Sequence, residues 1–138
     1  MNVPRITKQL RIDEAVRPSP YTDSVGKLTI GVGRNLTDKP LSPIEIDFLF
    51  ENDLAEAVED CRRMYQNFDA LNDVRREVLV NMMFNMGFTT MRQFRKMRSA
   101  VEREDFEDAA LEMLDSKWSQ QVGARATRLA RQMKTGVV

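Results

Sequence analysis

The sequence contains no histidine among its 138 residues. That absence removes serine–histidine triads, cysteine–histidine dyads, histidine-ligated zinc and imidazole acid–base chemistry together. If the chain is an enzyme, carboxylates are the leading candidates for its proton transfers. A single cysteine, Cys61, excludes an internal disulfide and a cysteine cluster for metal, and its place within a helical pattern reads as core packing. No apolar run approaches the length a bilayer needs, so stable membrane insertion is not expected. The segment Met1 to Glu14 carries Arg5, Lys8, Arg11, Asp13 and Glu14 and has no apolar stretch to serve as a signal-peptide core.

What is present is a balanced globular composition, 42% hydrophobic and 30% charged, in a length that suits one domain over residues 1–138. The formal net charge is zero. Lys117, Arg125, Arg128, Arg131 and Lys134 nevertheless follow Asp115 with no acid among them. Such a run suits an anionic polymer, or it solvates a last helix and pairs with the acidic stretch Glu45 to Asp60. That acidic stretch lacks the spacing of a calcium loop, and neither a metal nor another cofactor is implied.

Hydrophobic periodicity and caps divide the chain. Pro4 opens a short helix in which Ile6, Leu10 and Glu14 form one stripe. Pro18 and Pro20 close it, and Tyr21–Asp23 and Lys27–Gly33 read as two strands joined across Ser24, Val25 and Gly26. In the second strand Thr29 and two glycines share a face, which predicts that Thr29 looks onto open space. Ser42, Pro43 and Glu45 match a capping box opening a helix that runs to about Tyr65, with Ile46, Leu49, Phe50, Ala57 and Cys61 as its buried stripe and Asp53 on that stripe. Asn72 caps a helix over Asp73–Met86 that has little polar face, should be central to the core, and ends at Gly87. Further helices follow around Met91–Val101, from the cap Asp105 through Leu114, and from Ala124 to about Lys134. The spacing of Met82, Met83 and Met86 makes them core filler.

The constellation able to carry chemistry begins with Glu14. The apolar stripe it extends, the negative end of its helix and neighbouring Asp13 all favour the protonated form that a general acid needs. Asp23 and Thr29, from the hairpin, add a second carboxylate and a hydroxyl, the minimum for glycoside hydrolysis. Spacing alone is weak evidence, since a chain with 21 acids offers many such pairs.

The residues Leu10-Arg11-Ile12-Asp13-Glu14 and then Tyr21-Thr22-Asp23-Ser24-Val25-Gly26-Lys27-Leu28-Thr29-Ile30-Gly31-Val32-Gly33 resemble the signature of phage-type lysozymes, the endolysin muramidases. The similarity continues through Leu71-Asn72-Asp73-Val74-Arg75-Arg76, Asn81 to Gly87, Ser116-Lys117-Trp118, Arg125-Ala126 and Lys134-Thr135-Gly136. The resemblance implies an α+β, mainly α, bilobed fold. Its small hairpin lobe (about 15–41) is joined by a long helix (about 43–65) to a helical lobe (about 66–138) that includes the N-terminal helix.

It also implies a substrate, the glycan strands of peptidoglycan, cleaved with inversion. Glu14 would protonate the leaving oxygen, and Asp23 and Thr29 would hold a water on the opposite face of the sugar. Asn81, Asn85, Trp118 and Arg125 match positions that line or support the family's cleft, with side chains suited to sugar hydroxyls, a stacking ring and a peptide-stem carboxylate. A monomer is expected, made in a host bacterial cytoplasm without a signal peptide and acting on the wall in the periplasm after release.

The chain departs from the pattern in places. Arg34 stands where relatives commonly carry a histidine that pairs with an aspartate matching Asp53, so an Arg34–Asp53 ion pair is expected. Only Asn35 to Leu41 connects the hairpin to the long helix, and Asn85 is one methylene shorter than the glutamine often found there. Two other readings compete. A lytic transglycosylase works with a lone glutamate, which Asp23 and Thr29 argue against. A non-catalytic helical module would bind wall polymer or nucleic acid through the basic tail, but zero net charge and the lack of a reader motif argue against nucleic acid.

Overall fold

The computed structural model describes all 138 residues. Helix accounts for 65% of them beside one small antiparallel sheet, so the class is α+β, mainly α, as expected. The chain divides into two compact units, Met1–Phe48 and Leu49–Val138.

In the first unit, helix α1 (Val3–Glu14) opens where the Asn2 side chain accepts the Arg5 amide at 3.0 Å. It ends at Ala15, whose φ of 63° lies in the left-handed region that L side chains rarely adopt. Strands β1 (Arg17–Thr22), β2 (Leu28–Gly31) and β3 (Arg34–Asn35) follow, in the spatial order β1-β2-β3. Pro18 and Pro20 lie inside β1 instead of before it. The register shifts between Arg17 and Tyr21, and β1 is an edge strand; both are places where a residue without an amide donor is tolerated. Strand β3 escaped the sequence reading because two residues carry no alternation.

Helix α2 (Pro43–Met64) begins in this unit with the expected capping box: the Glu45 amide donates to Ser42 Oγ at 3.2 Å and the Ser42 amide to Glu45 Oε1 at 2.9 Å. The stripe expected along α2 is buried only in its second half. Ala57 and Cys61 are inside, while Ile46, Leu49 and Phe50 are about half exposed. Asp53 is exposed too.

The second unit holds the core. After a 3-10 turn (Phe68–Ala70) come α3 (Asp73–Met86), α4 (Phe88–Met91), α5 (Arg95–Glu102), α6 (Phe106–Leu114), α7 (Lys117–Val122) and α8 (Ala124–Thr135). The caps at Asn72 and Asp105 form as read, each side chain accepting an amide three residues on, from Arg75 and Asp108. Val78, Leu79, Met82 and Met83 of α3 meet Met91, Met97, Val101, Met113, Leu129 and Met133 in one cluster. Methionine fills it because an unbranched thioether adapts to the gaps between short helices. Burial holds the Cys61 thiol well up, at about 12, as a structural cysteine requires.

Candidate active site

Glu14 is the last residue of α1, and the hairpin receives its side chain. A Cβ placed on Gly33 would stand 2.7 Å from Glu14 Oε2, 3.0 Å from its Cδ and 3.1 Å from its Cβ. The Glu14 side chain therefore lies across bare backbone. A side chain at Gly33 would push the Glu14 carboxyl aside and would be strained at a φ of 63°, which favours glycine.

The apolar stripe expected to shield Glu14 does not do so. No residue of α1 is buried, and Ile6 and Leu10 are 40% and 44% exposed. The Glu14 side chain lies beside Gly33, a proximity that no helical periodicity could indicate.

Asp23 and Thr29 are tied to one residue between them. Asp23 Oδ1 accepts the amides of Val25 at 3.0 Å and Lys27 at 2.8 Å, closing the turn into β2. The Lys27 carbonyl accepts both the Asp23 amide at 2.8 Å and the Thr29 hydroxyl at 3.1 Å. Lys27 thus fixes the carboxylate and the hydroxyl through its peptide groups, a role invisible in sequence because backbone atoms carry no signature. Its side chain meets Asp38 at 3.1 Å, and hydrogen bonds from Lys27 and Asn35 hold the Asp38 carboxyl below its ordinary range. Thr29 does not look onto open space. It is 4% exposed, within β2 and opposite Tyr21 and Asn35 of the flanking strands.

The Arg34 guanidinium pairs with Glu45 of the same unit. Nη1 meets Glu45 Oε2 at 2.5 Å and Nη2 meets Oε1 at 2.8 Å, while Nε donates to the Lys39 carbonyl at 3.0 Å and Nη2 to the Pro40 carbonyl at 2.8 Å. The short connection after β3 returns the first turn of α2 to Arg34, so the capping-box glutamate takes the fork. The Arg34 hydrogen bond, with help from Ser42, pulls the Glu45 carboxyl down to about 2.

The helical unit brings its four expected residues together in two pairs. Arg125 Nε and Nη2 donate to Asn81 Oδ1 at 3.0 and 2.6 Å, and the Trp118 indole donates to Asn85 Oδ1 at 2.9 Å. Trp118 is buried at 4% exposure, a core position, which its place in the sequence allowed beside a sugar-stacking one. Asn81 and Arg125 line an open groove of about 490 Å³ with an apolar wall of Phe50, Leu54, Val58, Val80 and Phe84.

The model of one protein family, phage lysozyme, matches residues 11–135. The chain belongs to the phage lysozyme family. Among similar proteins, probable T4-type lysozymes 1 and 2 of Dictyostelium discoideum are 27% and 25% identical, each alignment covering 99% of this chain and 97% of the relative. The pre-baseplate central spike protein Gp5 of Enterobacteria phage T4 is 31% identical over 95% of this chain, which corresponds to 28% of that protein. The matched span includes Glu14, the hairpin with Asp23 and Thr29, and both polar pairs of the helical unit.

Proposed function

We propose that the chain is a muramidase that hydrolyses the β-1,4 bond between N-acetylmuramic acid and N-acetylglucosamine in peptidoglycan, with inversion. The observation that carries this reading is the link made by Lys27. Both amides bonded to the Asp23 side chain go to Oδ1, so Oδ2 is the oxygen left to orient a water, and the Thr29 hydroxyl is fixed to the carbonyl of Lys27, whose amide is one of those two donors.

Glu14, held over Gly33, supplies the leaving oxygen with its proton. Asp23 then acts as the base that draws a proton from the attacking water, with Thr29 fixing that water's position. The alternative, a helical module that binds wall polymer without cutting it, gives the Asp23–Lys27–Thr29 arrangement a turn-closing role only and leaves the free Asp23 Oδ2 without one. No helix is long and apolar enough to cross a membrane, and we assign the activity to wall digestion during host lysis, after release from the cytoplasm.

Turbidity clearing of purified Gram-negative peptidoglycan tests the acid. Glu14→Gln should lower the rate by about 10²–10⁴-fold, the usual contribution of a general acid. Equal clearing by parent and variant would sink the assignment. Proton NMR of the first-formed reducing ends should show the α anomer, as inversion of a β bond requires. Anhydro ends would instead point to transglycosylation.

A further inference from the structure

Gly31 and Gly33 turn the chain from β2 into β3 with φ values of 67° and 63°, and neither bears a side chain to pack the turn in place. Gly33 is nonetheless the surface on which Glu14 rests. The next residue, Arg34, makes four hydrogen bonds to Glu45 and to the Lys39 and Pro40 carbonyls. Glu45 is fixed in turn by Ser42 at the start of α2.

We propose that Arg34 and Glu45 are positioning residues for Glu14: their clasp fixes the Gly31–Arg34 turn and so holds the Gly33 backbone in place under the Glu14 carboxyl. The inference rests on the reading of Glu14 as the proton donor. A planar guanidinium is suited to the task, because one rigid fork satisfies two carboxylate oxygens and two carbonyls in fixed directions, which an ammonium does not. Displacement of a catalytic group by about 1 Å can cost about 10²-fold in rate. A partial loosening of the turn belongs below that limit.

The test compares Arg34→Gln, Glu45→Gln, the double variant and Arg34→Lys, at a temperature where each is folded. Arg103→Gln, which removes ion pairs to Asp105 and Asp108 in the helical unit, serves as the control. Each single Gln variant should lower kcat by about tenfold with KM within about twofold. The double variant should be no worse than either single, Arg34→Lys should recover only part of the loss, and Arg103→Gln should match the parent.

A readout independent of turnover is the nuclear Overhauser contact between Gly33 Hα and the Glu14 side chain. It should weaken in Glu45→Gln while the cross-strand contacts of Tyr21 with Thr29 persist. Full kcat in both Gln variants of an active parent, with Glu14→Gln inactive, overturns the clasp and leaves the muramidase reading standing. If the parent itself does not cut peptidoglycan, the muramidase reading fails. The Overhauser contact then judges the clasp alone, its weakening supporting the inference and its persistence overturning it.

Discussion

Glu45 sits at the N-terminal end of α2 with its carboxyl pulled to about 2, chiefly by the Arg34 hydrogen bond, from an ordinary value of 4.5. A carboxyl whose folded value is depressed contributes stability that is fully present above its unfolded value and is lost as pH falls through the folded one. The window here runs from about 4.5 down to about 2. Thermal unfolding followed across that window should show the parent losing stability as acid is added, with a shallower slope for Glu45→Gln. Parallel slopes would mean that the Arg34–Glu45 pair is absent in solution. Arginine stays charged throughout, so the pair has no second titration from the partner.

The same pair marks the limit of what single residues disclose. Glu45 was legible as a capping partner because that contact spans three residues. Its second role depends on how the connection from Asn35 to Leu41 folds back, which no spacing rule encodes, and the family pattern pointed to Asp53 instead. Glu14, Asp23 and Thr29 were legible as residue types, but the groups that hold them, the Gly33 backbone and the Lys27 peptide, were not.

Among the elements, those with long periodic patterns and local caps were readable: α3 was expected over Asp73–Met86 and occupies that span. The two-residue β3, the four-residue α4 and the six-residue α7 were missed, since elements that short complete less than two turns or one pleat of any pattern. Tertiary contacts decide them, as when Trp118 anchors α7 by donating to Asn85 of α3.

A similar contact joins the start of α3 to the end of α8. Asn72 donates to the Gly136 carbonyl at 2.9 Å, and Arg75 donates to the carbonyls of Met133 at 2.8 Å and Lys134 at 3.0 Å while its guanidinium lies 3.6 Å over the Phe106 ring. The last carbonyls of α8, which no intrahelical amide can reach, are satisfied this way. Gly136, at φ 70°, leaves the room: a Cβ there would meet Asn72 Nδ2 at 2.8 Å and Arg75 Cζ at 3.0 Å. Gly136→Ala should therefore destabilise by about 1–3 kcal/mol, from left-handed strain and the displaced clamp together. Chemical denaturation measures it, and a change below about 0.5 kcal/mol would show that the clamp is not formed.

Across the whole molecule, the residues assigned to chemistry and the residues that make the core belong to different units. Every buried hydrophobic side chain lies at Ala57 or beyond, whereas the first unit buries only Thr29. Backbone hydrogen bonds open most readily where few apolar contacts must break with them. In a chain arranged this way, amide exchange should begin in α1 and the β1–β2 hairpin and reach α3, α6 and α8 last, near the global unfolding free energy. Hydrogen-exchange mass spectrometry resolves these segments. Protection of α1 equal to that around Met82 and Met83 would show that α1 is buried in solution and that the exposure of Ile6 and Leu10 does not describe it. Early exchange would place the proposed acid on the segment of lowest local stability. Glu14 would then depend on its contact with Gly33 for alignment, and loosening the Arg34–Glu45 clasp should speed exchange at β3 without changing it in α8.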